Sequence, residues 1–216
     1  MGKPRSAKGR ATLVLERLTE IYPADAKALC ELHHENPFQL LAAAILSAQT
    51  TDVRVNAVTP ALFHRYPTPE ALSIAVPEEL EEIIRTTGFF RAKARSLIAM
   101  ATRLVDVFGG TVPGSIEDLT SLAGVGRKTA NVVRSVALDL PGLPVDTHVL
   151  RLSGRLGLTT EDDPVKVEHV LNKLVSPGDL GVFSLRLILH GRRICAARKP
   201  LCGQCVLADF CPSAGM

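Results

Sequence analysis

Four of the five cysteines, Cys195, Cys202, Cys205 and Cys211, fall in the last tenth of the chain with the spacing C-x6-C-x2-C-x5-C. Clustered thiols in a chain with no visible signal peptide point to a metal rather than to disulfides. Four thiolates in one short segment can close a tetrahedral site. Their chemistry alone leaves structural zinc and an iron–sulfur cubane both open. Zinc sites more often pair two C-x2-C knuckles, and one such pair occurs here. The fifth cysteine, Cys30, stands alone on a predicted helix and is expected to be a small core residue.

A second constellation is Leu122-Ala123-Gly124-Val125-Gly126-Arg127-Lys128-Thr129-Ala130. Glycines one residue apart allow a tight turn with exposed backbone amides. The amides stand at the N-terminus of the next helix, where the dipole favours an anion, and a phosphate fits there. The stretch lacks the third glycine and preceding strand of a dinucleotide fold and the longer spacing of a nucleotide P-loop. A plain helical hairpin, with glycine used only for geometry, explains the glycines equally well. A third element, Val145-Asp146-Thr147-His148-Val149, follows a Pro-Gly-Leu-Pro loop. On its own, Asp146 reads as an ordinary helix N-cap.

The elements that must position these residues are helical. The apolar period is close to 3.6 almost throughout, and hairpin dipeptides are missing. Thr68-Pro69-Glu70, Val76-Pro77-Glu78 and Asp163-Pro164 mark helix starts, Ser115 with Asp118 resembles a capping box, and Gly109-Gly110 ends a helix. The fold class expected is all-α. The 216 residues, 46% hydrophobic and 22% charged, describe a globular chain with a real core. No apolar run approaches the ~20 residues of a membrane span, so no membrane partner is expected. No secretory signal is visible, and the loose myristoylation pattern at Met1-Gly2 is set aside. A net charge of +3 permits nucleic-acid binding without establishing it. The basic run Lys3, Arg5, Lys8 and Arg10 reads as a solvated arm. With 4% aromatics and no Trp, a single-strand binder built on stacking platforms is disfavoured.

Taken together, these motifs resemble the endonuclease III family of DNA glycosylases. L-x-G-V-G-x-K-T-A is similar to that family's helix–hairpin–helix, whose amides grip a DNA phosphate; Gly124 and Gly126 take that part. The lysine after the second glycine is the family's nucleophile, here Lys128. V-D-T-H is similar to its second signature and makes Asp146 the essential acid. The cysteine spacing resembles the family's [4Fe–4S] site, and the intervening loop would present Arg198 and Lys199 to the DNA backbone. Leu46-Ser47-Ala48-Gln49-Thr50-Thr51-Asp52 matches the element that supplies a gap-filling Gln49, with Asp52 expected to cap a helix. Thr86-Thr87-Gly88-Phe89-Phe90-Arg91-Ala92-Lys93 matches the element that supplies a wedge. The family commonly has Leu there, so Phe89 is a departure. Read alone, Gln49 is a helix-end hydrogen bonder and Phe89 a core aromatic.

The resemblance implies a two-lobed helix-hairpin-helix glycosylase fold with a [4Fe–4S] cluster loop at the C-terminus. Residues 1–29 would give the basic arm and a helix packed on the cluster lobe. Residues 30–140 would form a six-helix lobe with the hairpin, and 141–216 the cluster lobe. DNA is expected across the groove between lobes. The implied activity is excision of oxidised pyrimidines from duplex DNA, with cleavage at abasic sites through a lysine Schiff base and β-elimination. Attack requires an uncharged lysine, so the site must dehydrate it or place positive charge nearby. Double-stranded DNA carrying damaged bases or abasic sites would be the partner of a monomer, in the cytoplasm and on the nucleoid of a prokaryote. An adenine mismatch glycosylase is disfavoured by Lys128, which that group lacks. A pyrimidine-dimer glycosylase and a non-catalytic DNA-docking module remain open.

Overall fold

The computed structural model describes residues 4–215, so Lys3 of the basic run lies outside them. The chain divides into two compact units, Cys30–Leu138 and Met1–Leu29 with Asp139–Met216. Among the described residues there is no strand, and no helix is long and apolar enough to cross a membrane.

Helices α1 (Ala7–Ile21) and α2 (Ala26–Leu29) open the chain. Ser6 caps α1 by accepting from Gly9 N at 3.1 Å. Lys8 and Arg10 therefore lie inside a helix rather than in a loose arm, and Arg10 donates to Gly157 O.

The unit Cys30–Leu138 contains α3 (Pro37–Leu46), α4 (Asp52–Arg65), α5 (Pro69–Ser73), α6 (Pro77–Ile84), α7 (Phe90–Phe108), α8 (Ile116–Thr120) and α9 (Arg127–Ala137), with a 3₁₀ turn at Arg85–Thr87. That is seven α-helices where six were expected. Two of the seven, α5 and α8, are single turns that survive because Thr68 and Ser115 each cap them through a side-chain oxygen. The long apolar run becomes α3, in which every residue from Phe38 to Leu46 is buried. Asn36 caps it and Pro37 occupies its first turn. Around this core helix pack α4, α7 and α9. Two sequence expectations fail locally. Cys30 lies just past the end of α2, not on a helix. Asp52 is the first helical residue of α4, and the cap is Thr51.

The other unit adds α10 (Thr147–Arg155), α11 (Pro164–Leu174) and α12 (Leu180–Arg193) to α1 and α2. Its core helix is α12, with Phe183 and Leu187 fully buried, packed against α1, α2 and α10. Buried Arg186 donates to Tyr22 O at 3.0 Å and Ala24 O at 3.3 Å, which ties the end of α1 to α12. Arg17 of α1 grips Asp209 with both nitrogens and lies 5.2 Å over the Phe210 ring. The N-terminal helix is thereby joined to the cysteine-rich end of the chain.

Candidate active site and metal centre

The hairpin runs from α8 through residues 121–126 into α9. Gly124 sits at φ +78°, and a Cβ there would lie 3.0 Å from Ser96 Cβ and 3.3 Å from Ile45 Cγ2. Both backbone conformation and space thus demand glycine, because the turn is pressed against α7 and α3. Val125, 6% exposed, anchors the turn, and its amide donates to Leu122 O. Gly126 is different: it is the N-cap of α9 and a Cβ there would meet nothing within 4 Å. No side chain caps α9. Steric need therefore does not explain Gly126, and the first amides of α9 have no side-chain acceptor at the cap. Lys128, the second residue of α9, is exposed. Burial in the protein therefore does not dehydrate this amine.

Asp146 is indeed the N-cap of α10, and it is half-buried. Its Oδ1 accepts from His148 N at 2.8 Å and Val149 N at 2.9 Å. The two amides fix the carboxylate through one oxygen, Oδ1. His148 packs under Gly191 and its Nδ1 lies 3.0 Å from an Arg151 nitrogen, a structural role.

Gln49 and Phe89, like Lys128 and the hairpin glycines, belong to the unit Cys30–Leu138. Both are exposed, Phe89 at 69%, so the core-aromatic alternative for Phe89 fails. Both also adopt the left-handed conformation, at φ 57° and 48°. Among the described residues only Gln49, Phe89, Asp139 and Lys199 do so without being glycine. Such strain on an exposed side chain gathers at functional sites.

Asp146, the cysteines, Arg198 and Lys199 belong to the other unit. All four cysteines line a cavity of about 230 Å³ together with Leu152, Leu156 and His190. Among the described residues no three His, Cys, Asp or Glu side chains converge closely enough to hold a single ion. Four cysteine thiolates around one cavity are the donor set of an iron–sulfur cubane. Burial pushes the Cys205 and Cys211 thiols up, and the neighbouring cysteines add to that. A cationic iron centre held by these four cysteines would offset this repulsion. His190 Nε2 stands 3.2 Å from Cys205 Sγ.

The sequence did not single out Arg151 and Arg155, four apart on one face of α10. Arg155 donates to Cys195 Sγ at 3.3 Å, to Ala196 O at 2.8 Å and to Ala197 O at 2.9 Å. Arg151 reaches Cys195 O at 3.0 Å. These forks hold the loop that carries exposed Arg198 and Lys199. The i, i+4 spacing of the two arginines was the available signal.

The model of the HhH-GPD superfamily of base excision DNA repair proteins matches residues 42–177. That of the iron–sulfur binding domain of endonuclease III matches residues 195–211. The endonuclease III of Synechocystis sp. is 53% identical over 98% of this chain and 96% of its own. A non-covalent endonuclease III–DNA complex superposes with a TM-score of 0.88 at 41% identity, covering 96% of each chain. A trapped endonuclease III–DNA covalent intermediate does so with a TM-score of 0.88 at 42% identity and the same coverage. With hairpin and cysteine segment both inside these matches, the protein belongs to the endonuclease III family: it is a DNA-binding glycosylase with lyase activity in base excision repair, and it carries a [4Fe–4S] cluster.

Proposed function

We propose that the chain removes oxidised pyrimidines from duplex DNA and cuts the strand at abasic sites, with Lys128 as nucleophile and Asp146 as acid. The observation that carries this is the start of α9, where an uncapped helix N-terminus and an exposed Lys128 lie within one turn. The hairpin amides at Gly124 and Gly126 take a phosphate of the damaged strand. Phe89 and Gln49 fill the gap left by the extruded nucleotide, which otherwise costs roughly a few kcal/mol. The extruded sugar covers Lys128 and supplies the dehydration that the protein does not. The uncharged amine bonds to C1′ as the bond from C1′ to the base breaks, and the leaving base takes up a proton. The ring opens at O4′ to give a Schiff base. Loss of a C2′ proton then expels the 3′ phosphate. Asp146 stabilises positive charge as it develops on the sugar.

Cys195, Cys202, Cys205 and Cys211 ligate the cluster, and Arg198 and Lys199 on the loop between the first two contact phosphates. The protein works as a monomer on DNA of the nucleoid, in the cytoplasm of a prokaryote. Borohydride trapping on a duplex with one oxidised pyrimidine tests the central step. Wild type should form a covalent adduct and Lys128→Ala none, with turnover lower by on the order of 10⁴-fold and duplex binding retained. Absence of an adduct with wild type that still binds would leave a monofunctional glycosylase or a docking module.

A further inference from the structure

Lys93 is 5% exposed, an ammonium buried on α7. Its hydrogen bond goes to Thr87 O, at 2.8 Å. Among the described residues no carboxylate accompanies it, and burial alone pushes its pKa down. An apolar side chain would fill this position without the desolvation penalty. The reason for a cation lies in its acceptor. Thr87 ends the 3₁₀ turn, and the next two residues both have positive φ: Gly88 at φ 70° and Phe89 at φ 48°. Thr87 is itself buried, and its hydroxyl donates to Ile84 O at 2.8 Å. A second cation holds the same turn from another helix. Arg54 of α4 donates to Thr86 O at 3.1 Å, while its own amide is capped by Thr51, two residues after Gln49.

The geometry points to Lys93 as a positioning residue for the wedge: with Arg54 it clamps consecutive carbonyls of the turn, so that the strained Gly88–Phe89 corner presents its ring outward. Phe89 in the left-handed region is uphill for a residue with a Cβ. An aromatic ring without an anchored turn would relax out of that conformation and lose its aim. Arg54 extends the clamp to the start of α4, which ties the turn to the segment bearing Gln49.

This inference rests on the proposed role of Phe89, and two variants separate them. The substrates are a duplex with one oxidised pyrimidine flanked by 2-aminopurine and a single strand with one abasic site, which needs no wedge. Phe89→Ala should lower duplex excision and the 2-aminopurine signal. If it does not, the wedge role fails and the positioning role with it. Lys93→Met should lower duplex excision by roughly tenfold and leave single-strand cleavage unchanged. Amide exchange should rise at residues 88–90 and not across α3. If Phe89→Ala acts and Lys93→Met does not, the wedge stands and the positioning role is overturned. Equal loss on both substrates would also overturn it, as the mark of a general structural role. Arg54→Ala removes an exposed clamp and should move duplex excision in the same direction by a smaller factor. Should Lys93→Met fail to fold, an Arg54→Ala protein with wild-type duplex excision and exchange would overturn the inference.

Discussion

Helices α9 and α10 begin in opposite ways, and each start carries a residue of the proposed chemistry. At α10 the chain supplies its own anion: Asp146 caps the helix and is held by two amides. At α9 it withholds one. Gly126 stands at the cap position, in open space, with no side-chain hydrogen bond. Ser, Asp or Asn at that position would stabilise the protein more than glycine does. A helix start that must receive a phosphate cannot also be filled from within. The same dipole and the same orphan amides thus fix an internal carboxylate in one unit and leave room for an external anion in the other.

The comparison breaks most visibly at Asp146, where capping and chemistry can be separated. Asn still caps, so Asp146→Asn should keep its stability to urea while turnover falls by about 10²–10³-fold. Asp146→Ala should lose the same turnover and about 1 kcal/mol of stability besides. Equal stability loss in both variants would mean that the carboxylate charge, not the cap bond, holds α10.

At the other start the two hairpin glycines should diverge. Gly126→Asp supplies the missing cap. Unfolding measurements should show a gain of a few tenths of a kcal/mol, roughly the difference between glycine and aspartate caps. Duplex affinity should fall about tenfold, because the new carboxylate occupies the anion position. Gly124→Ala should instead destabilise by about 1–3 kcal/mol, from positive φ and the approach to Ser96 and Ile45. A Gly126→Asp protein that binds DNA as well as wild type would remove the phosphate from α9.

The smallest effect concerns a carboxylate with an ordinary partner, well away from either cap in sequence. Arg65 holds the Glu79 carboxyl below its usual 4.5, with help from the Tyr66 hydroxyl. A carboxyl lowered in the folded state adds stability above its unfolded value and loses it as pH falls through the folded one. Wild type and Glu79→Gln should therefore differ by a small constant above about pH 4.5, and the difference should close at lower pH. Because the pair is exposed, salt should shrink it as well.

Helix punctuation was legible in the chain because capping is local. Thr68, Ser115 and Asp163 cap the helices they announce, since a side chain and the amide three residues on meet whatever the rest of the protein does. The order and spacing of hairpin, V-D-T-H and cysteines likewise sufficed for family and cofactor. Asp52 was misread because Thr51, one residue earlier, competes for the same cap, and a local rule cannot rank two adjacent candidates.

What the sequence by itself determined was therefore what short-range geometry enforces: helices, their ends, the glycine turn and four thiols in one segment. Burial was decided only by tertiary structure. A phenylalanine reads as core and a lysine at helical spacing as surface, yet Phe89 is exposed and Lys93 buried. The arginine forks on the cluster loop and the Arg54 bond to Thr86 are also tertiary, since their donors lie far along the chain on another helix. The physical reason is the same in each case: desolvation and long-range hydrogen bonds depend on which surfaces meet, and no residue carries that information alone.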